Sequence, residues 1–442
     1  MDRPHPYPLG VVVAATAVGF AICAAAAPVE RGSPLTEFSQ SATGPESSDD
    51  SSALTASGDA SLEASQYAAA EAAYSQALRL AEQHDGVESE NVIAPLLGLG
   101  NTFARSGHHE EAVPRLQRAL ALQRAQYGLF DLRQMDTLKT LAGSLTALNR
   151  TDEAQELMFY RARAAERAYG EGDPRVVPSL CDLGNWYAET GKTPEARATF
   201  LAAMNNIAAR LAGNHPLMVE PLRGMARAYM LRPSYPDRWR RPPSPPGCSM
   251  VGAECKPPFR MDKTGKLIVE PRELNREGEY ALQWALRILD EDPNASAQTR
   301  IETLIQMGDW YQIKKSPREA LPYYQHAWQL IRLAPGQSGS AATALDQPLR
   351  VYYPTPQIVA NVPTVAPEET RSHHVQVEFT VAADGSVQDA HIVDHDTRDR
   401  YAHDILSAVR ASRFRPKLVD GEAVATPAVT YREVFWTGAP RT

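Results

Sequence analysis

The chain has 442 residues, with 45 Lys and Arg against 53 Asp and Glu, a net charge of −8, and 4 Cys. That length supports two or three domains and a substantial core. The acidic balance argues against nucleic acid as a partner and gives no reason for affinity to anionic lipid, and so few cysteines exclude a disulfide-dense scaffold.

Residues 1–27 hold one apolar run, Leu9 to Ala27, behind Arg3. Two readings stand. A secretory signal would end at Ala24-x-Ala26 or Ala25-x-Ala27, where the small residues suit cleavage. An uncleaved membrane anchor also fits, since about 20 apolar residues span a bilayer. Ile22 before Cys23 is too bulky for a lipoprotein signal. Residues 28–61 are rich in Ser, Asp, Glu and Pro and poor in large apolar residues, which predicts a disordered tether.

A repeat occupies 62–231. Leu96, Leu99, Gly100, Phe103, Ala112, Leu116 and Ala119 recur 42 positions later as Leu138, Leu141, Ala142, Leu145, Ala154, Met158 and Arg161. The next copy is Leu180, Leu183, Gly184, Tyr187, Ala196, Phe200 and Ala203. A further shift reaches Leu222, Met225, Ala226 and Tyr229, and a backward shift reaches Ala70, Tyr74 and Ala77. Another copy lies in 277–333: Leu304, Met307, Gly308, Tyr311, Ala320, Tyr324 and Ala327. Fixed spacing across many weak copies indicates stacked units. The pattern L-G-x-x-Y followed by A-x-x-x-F-x-x-A resembles the tetratricopeptide repeat, whose usual period is about 34 residues. The resemblance implies helix pairs stacked into a solenoid that binds a protein ligand, with Gly100, Gly184 and Gly308 at close helix contacts.

Between the two repeat blocks, 232–276 is a proline-rich insertion with local basic charge. Its prolines exclude helix. Phe259 to Val269 reads as a small hairpin around Lys263-Thr264-Gly265. Cys248 and Cys255 lie seven apart within it. A metal pair there would lack a nearby His and the usual C-x-x-C spacing.

Residues 334–350 turn to Gly, Ser and Ala and predict a short flexible linker. In 351–442, Val375, Val377, Phe379 and Val381 alternate with polar residues, the period of a half-buried strand. Asp384-Gly385 supports a turn, and a second strand runs from Val387 to Val393. Tyr401, Ile405, Leu406 and Val409 then mark one face of a helix. Asp420-Gly421 is another turn, and Ala425 to Trp436 a last strand. The expected order is β-β-α-β, with the helix on one face of a small antiparallel sheet. The whole chain is therefore α+β and multidomain.

The stretches VEFTVAADGSVQDAHIV and AVRASRFRP, followed by the DG turn and a closing strand with aromatic end, resemble the TonB-family C-terminal domain. The resemblance implies a periplasmic location and docking on an outer-membrane transporter by strand addition. It assigns partner contact to the closing strand, at Thr430, Tyr431, Arg432, Glu433, Val434 and Phe435, and to Tyr353 and Pro354 ahead of the domain. An oxidising periplasm would join Cys248 to Cys255 as a disulfide. The same resemblance implies a rival: an energy transducer anchored in the inner membrane by residues 9–27, working in transmembrane transport. Leu9 to Ala27 contains no ionisable residue, which argues against proton-coupled work.

The remaining chemistry is ordinary. His373, His374, His391, His395 and His403 read as solvated loop residues, Cys181 as a buried thiol, and Trp186, Trp310 and Tyr311 as helix core. No phosphate loop, G-x-S-x-G or H-E-x-x-H occurs. No catalytic, metal or cofactor site is expected. A hydrolase with an unrecognised site is the least favoured reading. The favoured one is a periplasmic, non-enzymatic adaptor, with the repeats on one partner and the TonB-like domain on another.

Overall fold

The computed structural model describes residues 48–231, 259–261, 267–269, 277–333, 336, 339–356 and 370–438. It divides into two compact units, 1–170 and 171–442.

The first unit holds three helix pairs. They are α1 (Ser48–Glu63) with α2 (Tyr67–Asp85), α3 (Ile93–Arg105) with α4 (His109–Tyr127), and α5 (Met135–Ala147) with α6 (Thr151–Tyr169). The first two pairs meet where a small residue faces a large one. Gly58 lies on the ring of Tyr74, where an added Cβ would come within 2.6 Å. Gly98, in the next helix, closes on the same ring from the other side. Gly100 seats Leu116 in the same way. Small residues lower the approach distance, and the large side chain fills the gap.

Helix α1 corrects the expected tether over 48–61. Its sequence offers almost no apolar face, so composition alone points to disorder. Its order comes from contacts with α2 instead. The Ser51 hydroxyl donates to the Ala77 carbonyl at 2.9 Å, and the Tyr74 hydroxyl donates to Asp59 at 2.6 Å.

The long repeat period has a local cause. Gly86, Gly128 and Gly170 end α2, α4 and α6 with φ of 90°, 93° and 95°, a conformation that glycine adopts without strain. A single 3-10 turn follows each. Ser89, Asp131 and Asp173 cap these turns by accepting from Asn91, Arg133 and Arg175 backbone N–H groups.

The second unit continues with α7 (Val177–Glu189) and α8 (Thr193–Ala208), α9 (Val219–Met230) and α10 (Glu277–Glu291), and α11 (Ala297–Ile313) and α12 (Pro317–Leu333). Phe200 sits between Gly184 and Gly224, as Tyr74 sits between Gly58 and Gly98. Helices α9 and α10 pack against each other, with Ala226, Leu282, Met307 and Trp310 in one cluster. The insertion therefore joins the two helices of a single pair. Within it, β1 (Phe259–Met261) and β2 (Leu267–Val269) form an antiparallel pair, Phe259 opposite Val269.

The C-terminal domain follows. It contains β3 (Leu349–Tyr352), β4 (Thr370–Val381), β5 (Val387–His395), α13 (Asp399–Ala411), β6 (Arg413–Arg415), β7 (Lys417–Val419), β8 (Glu422–Val424) and β9 (Thr426–Gly438). The main sheet has the order β5-β4-β9, all antiparallel. Val375, Val377, Phe379 and Val381 of β4 pack with Ile405, Leu406 and Val409 of α13 and with Phe414 and Phe435. Asp420 and Gly421, with φ of 51° and 80°, make the tight turn between β7 and β8.

Residues 334–350, expected as a flexible linker, contain buried Ala341 and Leu345. Both join Leu418 and the α11 and α12 residues Ile301, Leu304, Tyr324 and Ile331 in one core cluster. Strand β3 then pairs with β6.

Two expectations are corrected. Among the described residues no disulfide is present: Cys181 there is free and buried, while Cys248 and Cys255, the expected pair, lie outside those residues. Also among the described residues, no helix is long and apolar enough to cross a membrane, which overturns the transmembrane-transport expectation there. Residues 9–27 lie outside them.

Candidate functional site

Strand β9 is an edge. Among the described residues it pairs along one side only, with β4, from Thr370 opposite Gly438 to Val381 opposite Thr426. An edge exposes alternate backbone N–H and C=O groups that can accept another strand. The start of β9 is blunted. Pro427 lacks an N–H, and Ala428 has φ of 54° beside an irregular step in the register. The regular stretch is Val429 to Gly438.

The pleat divides the expected partner-binding residues into two sets. Thr430, Arg432 and Val434 are exposed and stand opposite Glu378, Gln376 and His374 of β4. Phe435 is buried in the core, with its ring 5.8 Å from that of His373 and 6.5 Å from that of Tyr401. Tyr431 and Glu433 are half-buried.

Tyr353 belongs to the same cluster. Its hydroxyl donates to Glu433 at 3.1 Å, and its ring meets that of Tyr431 edge-on at 5.6 Å. The Tyr431 hydroxyl also donates to Glu433. The Arg350 guanidinium lies 4.5 Å from the Tyr353 ring centre and 4.3 Å from that of Tyr431. Burial, then Glu433, pushes the Tyr431 phenol up to about 12 and raises that of Tyr353 still further. These phenols stay protonated donors. Pro354 follows, half-buried. The sequence signal for Arg350 was its place two residues before the Tyr352-Tyr353 pair, but nothing in that spacing shows it stacking on β9.

Opposite Val434 of β9, His374 stands between two carboxylates. Its Nε2 is 2.9 Å from Asp394, and its Nδ1 is 3.3 Å from Asp396. The hydrogen bond from the His374 ring holds the Asp394 carboxyl below its usual range, and the His374 backbone N–H does the same for Asp396. His391 and His403 are exposed. Among the described residues no group of three or more His, Cys, Asp or Glu side chains could hold a metal ion.

The repeat helices meet this domain at Asp309. Arg415 donates to its two carboxylate oxygens at 2.9 and 2.6 Å, and Tyr324 donates to it at 2.8 Å. Gln312 donates to the Asp384 carbonyl and Gln325 to that of Gly421. The domain is thereby held on α11 and α12.

Comparison with known proteins agrees with this division. The tetratricopeptide repeat family model matches residues 49–125 and 91–158. The Gram-negative bacterial TonB protein C-terminal model matches residues 362–432. Both are non-catalytic domain types. No curated protein matches the chain. Similar solved structures share low identity with the chain. A protein of TPR-like repeats from Podosopora anserina is 17% identical, over 55% of this chain and 95% of that one, with a TM-score of 0.37. BtubC (BKLC) from P. vanneervenii is 14% identical, over 65% of this chain and 92% of that one, with a TM-score of 0.40. The chain thus joins a tetratricopeptide-repeat region, a protein-interaction module, to a C-terminal domain of the Gram-negative bacterial TonB family.

Proposed function

We propose that this protein is a periplasmic adaptor. Its repeats bind one protein partner, and its TonB-family domain docks on an outer-membrane transporter by adding a strand to β9. The single observation that supports docking is the one-sided pairing of β9. Backbone hydrogen bonds would supply affinity, and alternate side chains selectivity. Phe435 is committed to the core, and Tyr431 and Glu433 to the Tyr353 cluster. Selectivity on the outer face therefore falls to Thr430, Arg432 and Val434. Tyr353, expected as a contact residue, supports the edge from beneath. The matched domain type and the strand topology together favour the periplasm as the site of action.

Hydrogen–deuterium exchange on the full chain tests this reading. The probe is a synthetic peptide from the periplasmic N-terminal segment of a TonB-dependent transporter. Outward amides between Val429 and Phe435 should slow on peptide addition, while β5 amides keep their rates. Protection confined to β5, or none at saturating peptide, would remove β9 as the docking edge.

A further inference from the structure

The first unit contains a slot unrelated to the sheet edge. It lies between α4 and α6, over α5, and encloses about 310 Å³. Leu120, Leu141, Leu145 and Leu157 line it with apolar surface. Its charged lining is mixed: α6 contributes the exposed carboxylates Glu153 and Glu156, and α4 the half-buried guanidinium of Arg124.

Arg124 begins a ladder that leads out of the slot. Its guanidinium lies 4.8 Å from the Tyr160 ring centre. Tyr160 stacks on Phe130 at 5.8 Å, and the Arg167 guanidinium lies 4.8 Å from the other ring of that pair, Phe130. Phe130 is 38% exposed and its neighbour Leu129 is 59% exposed. Among the described residues neither Arg124 nor Arg167 has a carboxylate within ion-pair distance; Arg124 bonds only the Gln134 amide, at 3.4 Å. The C-terminal ends of α4 and α6 favour cations at these positions, and the aromatic faces hold them in place. Two fixed, uncompensated guanidinium groups beside exposed apolar surface fit a ligand of opposite charge.

We infer that this slot binds a peptide segment of a partner protein, with an apolar anchor between α4 and α6 and a run of acidic side chains over Arg124, Phe130 and Arg167. Glu153 and Glu156 on α6 repel the acidic run and Arg124 on α4 attracts it, which sets the direction of the segment. Among the described residues of this unit, only one helix-pair junction offers the arrangement, since the ladder needs Phe130 and Tyr160 together, and the equivalent loop at Gly86 has Val87-Glu88 in place of Leu129-Phe130.

The test uses the full chain and a fluorescein-labelled peptide, Leu-Leu-Gly-Asp-Glu-Asp-Glu, with anisotropy as readout. Its control replaces the acids with Lys. Arg167→Glu reverses an exposed charge and removes its contact with the Phe130 ring, and Ala121→Trp fills the slot from an exposed position on its wall. The acidic peptide should bind at least about tenfold more tightly than the Lys peptide, and each variant should weaken it by about tenfold or more, with helical circular dichroism unchanged. Added salt should weaken it too. No binding of the acidic peptide, equal binding of the two peptides, or an affinity unchanged in either folded variant overturns the inference.

Discussion

Arg415 and Asp309 are 106 positions apart in the chain, yet they form a two-bond ion pair at 2.9 and 2.6 Å with side chains only 9% and 11% exposed. Arg415 follows the helix of the TonB-family domain, and Asp309 lies in the last repeat pair. Arg415 also donates to the Ala344 carbonyl at 3.0 Å, so one side chain ties the domain, the connecting segment and α11 together. The Asp309 carboxylate is shared with Tyr324, whose phenol is raised by burial and then by Asp309. The first repeat pair has the same Gly-Asp and Tyr relation in Gly58-Asp59 and Tyr74, without the arginine.

Removing one partner of this pair should be costly. Asp309→Ala leaves a buried guanidinium without a counter-charge and is expected to destabilise the second unit by about 3–5 kcal/mol. The double variant Asp309→Leu with Arg415→Met should recover most of that loss. Urea unfolding midpoints of the three proteins decide the matter. A double variant as unstable as the single one would show that the pair is irreplaceable for shape rather than for charge.

Gly184 tests the repeat packing. An added Cβ would stand 2.8 Å from the Phe200 ring, which Gly224 confines on its other side. Gly184→Leu should cost roughly 1–3 kcal/mol through overpacking. Combining it with Phe200→Ala should cost less than the sum of the two single changes, because the contacts are shared. Additive losses in thermal melts would place the clash elsewhere.

Asp173 predicts a pH dependence. Hydrogen bonds from the Arg175 side chain and backbone, with Arg210 also at 3.1 Å, lower its carboxyl to about 2 from an ordinary 3.8. A depressed carboxyl stabilises the fold above its unfolded pKa, and the contribution fades as pH falls through the folded one. The stability gap between wild type and Asp173→Asn should be full above about pH 4 and shrink towards pH 2. Guanidinium unfolding at several pH values would expose a gap that stays constant, contrary to this expectation.

Cys181 should be inert in the native protein. Burial in α7 pushes its thiol well above the usual range, with Glu220 and Asp182 adding to the effect. Thiolate is the reactive form, so alkylation should be suppressed until denaturant is added. Peptide mapping after a short maleimide pulse gives the answer. Native labelling of Cys181 comparable to the denatured protein would mean that α7 opens readily.

The recurring residues by themselves determined the helix pairs and the β-β-α-β order. Positions such as Gly184 with Phe200, or Val375 with Val377, act over one turn or one pleat, and their spacing survives in the linear chain. The placement of β9 at an edge was expected from its position last in the chain, but its pairing with β4, on the side away from β5, was decided by the fold. Other features depended on distant partners. Ser48–Glu63 looks too polar to fold until Tyr74 covers Gly58 and bonds Asp59. Residues 334–350 look like a linker until α11 and α12 bury Ala341 and Leu345. Tyr353 and Glu433 are separated by 80 positions, and Arg415 and Asp309 by more, so no local period records either contact. Periodicity reports which face of an element is apolar, whereas only tertiary packing decides what that face meets and which polar groups must be satisfied there.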